Sequence, residues 1–154
     1  MNKTELVQLL IAELQNQLNR ARGALESATE GATGDDSKAE SKYDTRGLES
    51  SYLAAGQAEQ VDSLEQQLSA VEAASFPEFD FDDPVAAGAL VEVERAEESA
   101  YYLLAPGGGG LMIESEDCPP VTILGPEAPL RQALLGMKVG TRLPNGLGSL
   151  LEIF

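Results

Sequence analysis

Between residues 3 and 30, apolar side chains recur at Val7, Ile11, Leu14, Leu18, Ala21, Leu25 and Ala28, alternating by four and three. That spacing holds one stripe on one face of a helix and predicts a long helix with a heptad seam. Leu6 and Leu10 widen the stripe at its start. Thr4 is the candidate N-cap, and Gly31 and Gly34 mark the end. A second helix is predicted from about Ser37 to Ala74, with Val61, Leu64, Leu68 and Val71 as its seam. Leu48, Tyr52, Ala55 and Ala58 are expected to face inward less regularly. The region is rich in Ala, Glu, Gln and Leu, which favour helix. Two helices of similar length joined by a short polar connection form an antiparallel hairpin, with arms of roughly 40 Å.

The pattern changes at residues 75–88, where aromatic, proline and acidic residues replace the Ala/Gln-rich repeat. This predicts a linker near residues 76–84. Short strand-like runs follow at 89–96, 99–106, 110–115 and 149–154, the first alternating apolar and charged residues. Turns are expected at Glu97-Glu98 and at Gly107–Gly110, the latter as a hairpin loop. The four glycines lack the lysine and the long following helix of a phosphate loop. Near the end, Pro129 suits the first turn of a short helix with Leu130, Ala133 and Leu134 on its apolar face. Gly136 suits its left-handed C-terminal position. Residues 137–143 then read as a further strand.

Charge and composition narrow the chemistry. The chain of 154 residues carries a formal net charge of -16. Clustered Lys and Arg for duplex DNA are missing, so direct duplex binding is not expected. With one cysteine, Cys118, and no histidine, an internal disulfide, a zinc site of four N or S ligands, and His-dependent nucleophilic catalysis are excluded. Cys118, just before two prolines, reads as a loop thiol. No run approaches the roughly 20 apolar residues of a membrane span. The start shows no signal-peptide pattern, so a cytoplasmic location without membrane association is expected. One concentration of charge stands out: Asp35, Asp36, Glu40 and Asp44, with Lys38 and Lys42 between them, lie in the connection between the two helices.

The stretch Ala128-Pro129-Leu130-Arg131-Gln132-Ala133-Leu134-Leu135-Gly136-Met137-Lys138-Val139-Gly140 resembles a pattern in the C-terminal domain of the GreA/GreB family of bacterial transcription elongation factors. That family has Ser-Pro-Leu-x-x-Ala-Leu-hydrophobic-Gly-x-x-Val-Gly here, so the departure is at Ala128. The preceding residues 121–126 resemble the family's approach strand. The resemblance implies an α+β protein: an N-terminal antiparallel α-helical coiled-coil hairpin (residues 1–75) with an acidic tip, followed by a small FKBP-like β-sheet domain with one short helix (residues 84–154).

The resemblance also implies a function. The C-terminal domain would dock on RNA polymerase at the rim of its secondary channel. The hairpin would enter the channel, meet nascent RNA indirectly, and hold a second magnesium ion at the polymerase active centre, so that a backtracked transcript is cut. The chain would not itself be the enzyme, and no cofactor would be tightly bound; the magnesium is shared. Hard carboxylate oxygens suit that ion.

At the tip, Gly34-Asp35-Asp36-Ser37 matches the first four places of the family pattern Gly-Asp-x-Ser-Glu-Asn-x-Glu-Tyr. Lys38 stands where the family has its second key acid, and Tyr43 is displaced in register. Asp35 therefore carries over directly, and Asp36 and Glu40, i,i+4 neighbours on a helix, are the candidates to replace the missing acid. Asp35 and Asp36 are the expected metal ligands. The alternative is a non-cleaving secondary-channel binder that modulates transcription by occupancy. A third reading, prolyl isomerase activity, would need an aromatic-lined pocket that Tyr101, Tyr102 and Phe154 supply poorly.

Overall fold

The computed structural model describes residues 2–33, 46–96, 98–115 and 118–154. Helix α1 (Lys3–Thr33) and helix α2 (Arg46–Ala73) form the predicted hairpin. Five strands follow: β1 (Leu90–Arg95), β2 (Glu98–Leu104), β3 (Met112–Ser115), β4 (Cys118–Leu124) and, after the short helix α3 (Pro129–Leu134), β5 (Ser149–Ile153). The architecture is α+β. Packing divides the chain into two compact units, one made of Met1–Ala12 with Gln67–Phe154 and the other of Glu13–Gln66. The two ends of the hairpin thus belong to the same unit as the sheet.

In the second unit, Leu14, Leu18, Ala21 and Ala28 of α1 are buried, as are Val61 and Leu64 of α2. The arms run antiparallel: Arg22 pairs with Glu65 at 2.6 Å, and a Cβ placed on Gly31 would lie 3.7 Å from Ser50 Oγ. Both ion-pair partners are solvent-exposed, so this bridge adds at most about 1 kcal/mol. Leu48, Tyr52 and Ala55, expected to face inward, are exposed instead. Opposite them α1 carries small residues, Gly23, Ala28 and Gly31, which leave little apolar surface to bury against.

The sheet of the first unit has the order β3-β4-β2-β1-β5. β2 and β4 are parallel, pairing Tyr101 with Val121 through Leu104 with Leu124; the other neighbours are antiparallel. One face carries Val91, Val93, Leu104, Leu124, Leu150 and Ile153, closed over by Val85, Leu134 and Leu143. The other presents Leu90, Leu103 and Ile123, also buried. Its cover includes the hairpin base: a Cβ on Gly108 would lie 2.7 Å from Leu10 Cδ1 and 3.7 Å from Ile123 Cγ2. That layer corrects the seam at the start of α1. Leu6 and Leu10 are fully buried, whereas Val7 and Ile11 are half-buried, because the sheet and not only α2 decides which side of the helix is inside.

Three further expectations are corrected. Gly107–Gly110 does not close a hairpin, because β4 lies between β2 and β3; the segment is a crossover. Its glycines permit close approach: a Cβ on Gly107 would sit 2.6 Å from the Gln67 carbonyl oxygen. Residues 137–143 do not form a strand. They lie beside β5, with Gly140 N–H donating to Leu150 O and Leu143 N–H to Gly148 O. Gly140 at φ 82 breaks the extended run, and Pro144 offers no N–H to continue it. Cys118 opens β4 rather than sitting in a loop, and burial raises its thiol pKa, which fits an inert side chain. The first turn comes at Ala96, in a left-handed conformation at φ 52, with Glu98 already in β2.

The linker is tied down. Lys3 is buried, donates from Nζ to the carbonyls of Pro77 and Phe154, and sits 5.1 Å from the Phe79 ring centroid. Burial lowers the Lys3 pKa, and nearby Glu78 partly opposes that shift. A hydrogen-bonded turn closes Asp80 to Asp83.

Candidate functional site

The carboxylates singled out by the sequence, Asp35, Asp36 and Glu40, lie outside the described residues, as do Lys38, Asp44 and the predicted start of the second helix at Ser37. The flanks are described. α1 runs to Thr33 and α2 begins at Arg46, so the acidic stretch joins adjacent ends of two antiparallel helices. Among the described residues, no group of three or more His, Cys, Asp or Glu side chains is placed to hold a metal ion.

The second candidate region is built by the motif at 128–140. Pro129 occupies the first turn of α3, and Ala128 stands at the N-cap with extended backbone (φ -67, ψ 124) but no side-chain cap. Gly136 takes φ 80, the left-handed conformation expected of it. The helix is pinned to the sheet by a residue that sequence reading left on its polar side. Arg131 is 9% exposed, and its Nη1 donates to Ala105 O at 2.6 Å and Leu124 O at 3.0 Å. These carbonyls end the two parallel strands, so one guanidinium satisfies both. Burial lowers its pKa below the usual arginine value. Among the described residues no carboxylate forms an ion pair with it. Nothing local flags this role, since both acceptors are distant in sequence.

Beside α3 lies a cavity of about 380 Å³, lined by Gln67, Pro106, Gly107, Gly109, Gly110, Gly125, Pro126, Glu127 and Ala128. The Gln67 side chain accepts from Gly108 N–H at 3.0 Å and holds one rim. Gly109 and Gly125 approach so closely that a Cβ on Gly109 would meet Gly125 Cα at 3.1 Å. Its walls carry one carboxylate and no aromatic ring, which suits an apolar side chain of a partner better than a charged small molecule.

The missing cap at Ala128 is a testable weakness. Ala128→Ser restores an oxygen able to accept from the Arg131 backbone N–H. It is expected to raise the unfolding free energy by about 1 kcal/mol, read from urea denaturation.

No protein-family model matches the chain, and no curated protein does. Solved structures align over nearly its whole length with loose superposition. The crystal structure of GreA factor homolog 1 (Gfh1) of Thermus thermophilus is 26% identical, covers 94% of each chain, and has a TM-score of 0.37. A structure described as the transcription factor Gfh1 is 24% identical at a TM-score of 0.38, covering 94% of this chain and 93% of that one. Thermus aquaticus Gfh1 is 25% identical, covers 92% of each chain, and has a TM-score of 0.33. No described helix is long and apolar enough to cross a membrane.

Proposed function

We propose that this chain is a transcription factor of the GreA/GreB type, which binds RNA polymerase at its secondary channel. The 121–140 region docks on the channel rim, and the helical hairpin carries the 34–45 segment to the active centre. There Asp35, with Asp36 or Glu40, lends oxygen ligands to a magnesium ion shared with the polymerase, and so promotes cleavage of a backtracked transcript. The chain supplies ligands and positioning; the polymerase owns the catalytic centre.

The observation that carries this reading is the motif from Ala128 to Gly140, in a small sheet domain that follows an antiparallel hairpin. Its sequence matches the family pattern at all specified places but one. Pro129 at the start of α3 and left-handed Gly136 and Gly140 give those residue types a physical reason to be there.

The test is a stalled, backtracked elongation complex incubated with magnesium, with and without the protein. Accelerated release of the transcript's 3′ fragment is the expected result. Lys38, standing at an acid position of the family pattern, favours the second reading, occupancy of the channel without cleavage. Tight binding with no acceleration at any magnesium concentration would establish that reading and reject the first.

A further inference from the structure

α2 ends its buried seam before it reaches the acidic segment. Leu48, Tyr52 and Leu53 are 56%, 72% and 57% exposed. Leu48 and Tyr52 are one turn apart, and Leu53 adjoins them on the same side of the helix. The next turn continues the surface with exposed Ala55 and Gly56. From Gly47 to Ala58 the only charged residue is Glu49. Solvated helix faces normally carry charge; this one presents large apolar groups. The three side chains offer on the order of 400 Å² of surface, at the upper end of what a monomer leaves bare.

We propose that Leu48, Tyr52 and Leu53 are a binding surface for an apolar wall of the RNA polymerase channel. This rests on the polymerase reading above and names a contact within it. Position selects the occupant. The patch lies within about 11 Å of the start of α2, at 1.5 Å per residue, and α2 starts directly after the acidic segment. Any channel that encloses residues 34–45 must also enclose this turn of the helix. A second copy of the chain is a poorer occupant. Each copy carries a formal net charge of -16, and the patch offers only about half of the ~800 Å² that each partner of a stable complex buries. A contact of this size works as one part of a larger interface, where an exposed tyrosine is a common anchor.

The test uses the full chain with Leu48→Gln, Tyr52→Gln and Leu53→Gln together. Glutamine keeps helix propensity, so the fold should be retained, as circular dichroism and an unchanged melting temperature would show. The triple variant is expected to bind polymerase at least about tenfold more weakly than wild type, equivalent to roughly 1.4 kcal/mol. A benzophenone amino acid at position 52 is expected to crosslink to a polymerase subunit, which gives a readout independent of the variant's stability. Equal affinity of wild type and variant, without a crosslink, overturns the proposal. Wild type that sediments as a dimer, with a monomeric variant of unchanged polymerase affinity, assigns the patch to a second copy and also overturns it. Wild type that does not bind polymerase removes the functional reading itself, and this contact with it.

Discussion

Leu10→Ala is expected to lower the unfolding free energy by about 2–5 kcal/mol, the range for a buried leucine whose cavity closes only in part. Leu10 is fully buried. Its Cδ1 reaches the position a Cβ on Gly108 would occupy, and the Leu111 and Ile123 side chains border the same spot. The crossover there is held by backbone contacts. Gly107 lies against the Gln67 backbone, and Gly108 N–H is bound to the Gln67 side chain. Such a wall cannot move inward easily to fill a void. The paired control is Ile11→Ala, one residue along. Ile11 belongs to the heptad read from sequence, yet it is only half-buried, so its truncation should cost clearly less. Urea denaturation of both variants decides the matter. Equal losses would mean that the heptad, and not the sheet, sets the inside of the helix base.

That contrast shows where sequence reading works and where it stops. The hairpin was legible because a 3.6-residue period reports burial against a single neighbour, and from Leu14 to Ala28 α1 has such a neighbour in α2. At Leu6 and Leu10 the sheet supplies a second neighbour, and local periodicity does not encode it. At Leu48 and Tyr52 the opposite holds: the residues are apolar, but no buried partner face meets them. α3 was legible from Pro129 and Gly136, whose backbone preferences are local. Arg131 was not, because its acceptors at Ala105 and Leu124 come together only when β2 and β4 pair in parallel. The strand expected at 137–143 failed on Gly140, whose positive φ turns the chain beside β5 instead of into the ladder. The role of Gly107–Gly109 is likewise tertiary: the glycines were visible, but the helices they admit were not. For the acidic segment, residue chemistry is legible and geometry is not, so its function has to be read from kinetics.

Asp35→Asn combined with Asp36→Asn is expected to slow polymerase transcript cleavage at least about tenfold, a loss of roughly 1.4 kcal/mol of transition-state stabilisation. Affinity for polymerase should stay nearly unchanged, because exposed charges on a connecting segment add little to docking. The amide keeps the size and most of the hydrogen-bonding capacity of the carboxylate. It loses the negative charge, and a neutral oxygen holds magnesium weakly against water. A segment that works by filling the channel does not register that change; a segment that ligates the ion does. Glu40→Gln alone separates the two candidates for the second acid. If Glu40 replaces the acid missing at Lys38, Glu40→Gln should reproduce much of the loss with Asp35 and Asp36 intact. If Asp36 does so, Glu40→Gln should be close to wild type. Restoring the family residue by Lys38→Glu removes a positive charge beside the ion and adds a ligand, so under the cleavage mechanism it should raise the rate. Cleavage indifferent to all of these substitutions, in a protein that still binds polymerase, would leave the segment as a plug, with Lys38 and Lys42 as its contacts to acidic or phosphate groups in the channel.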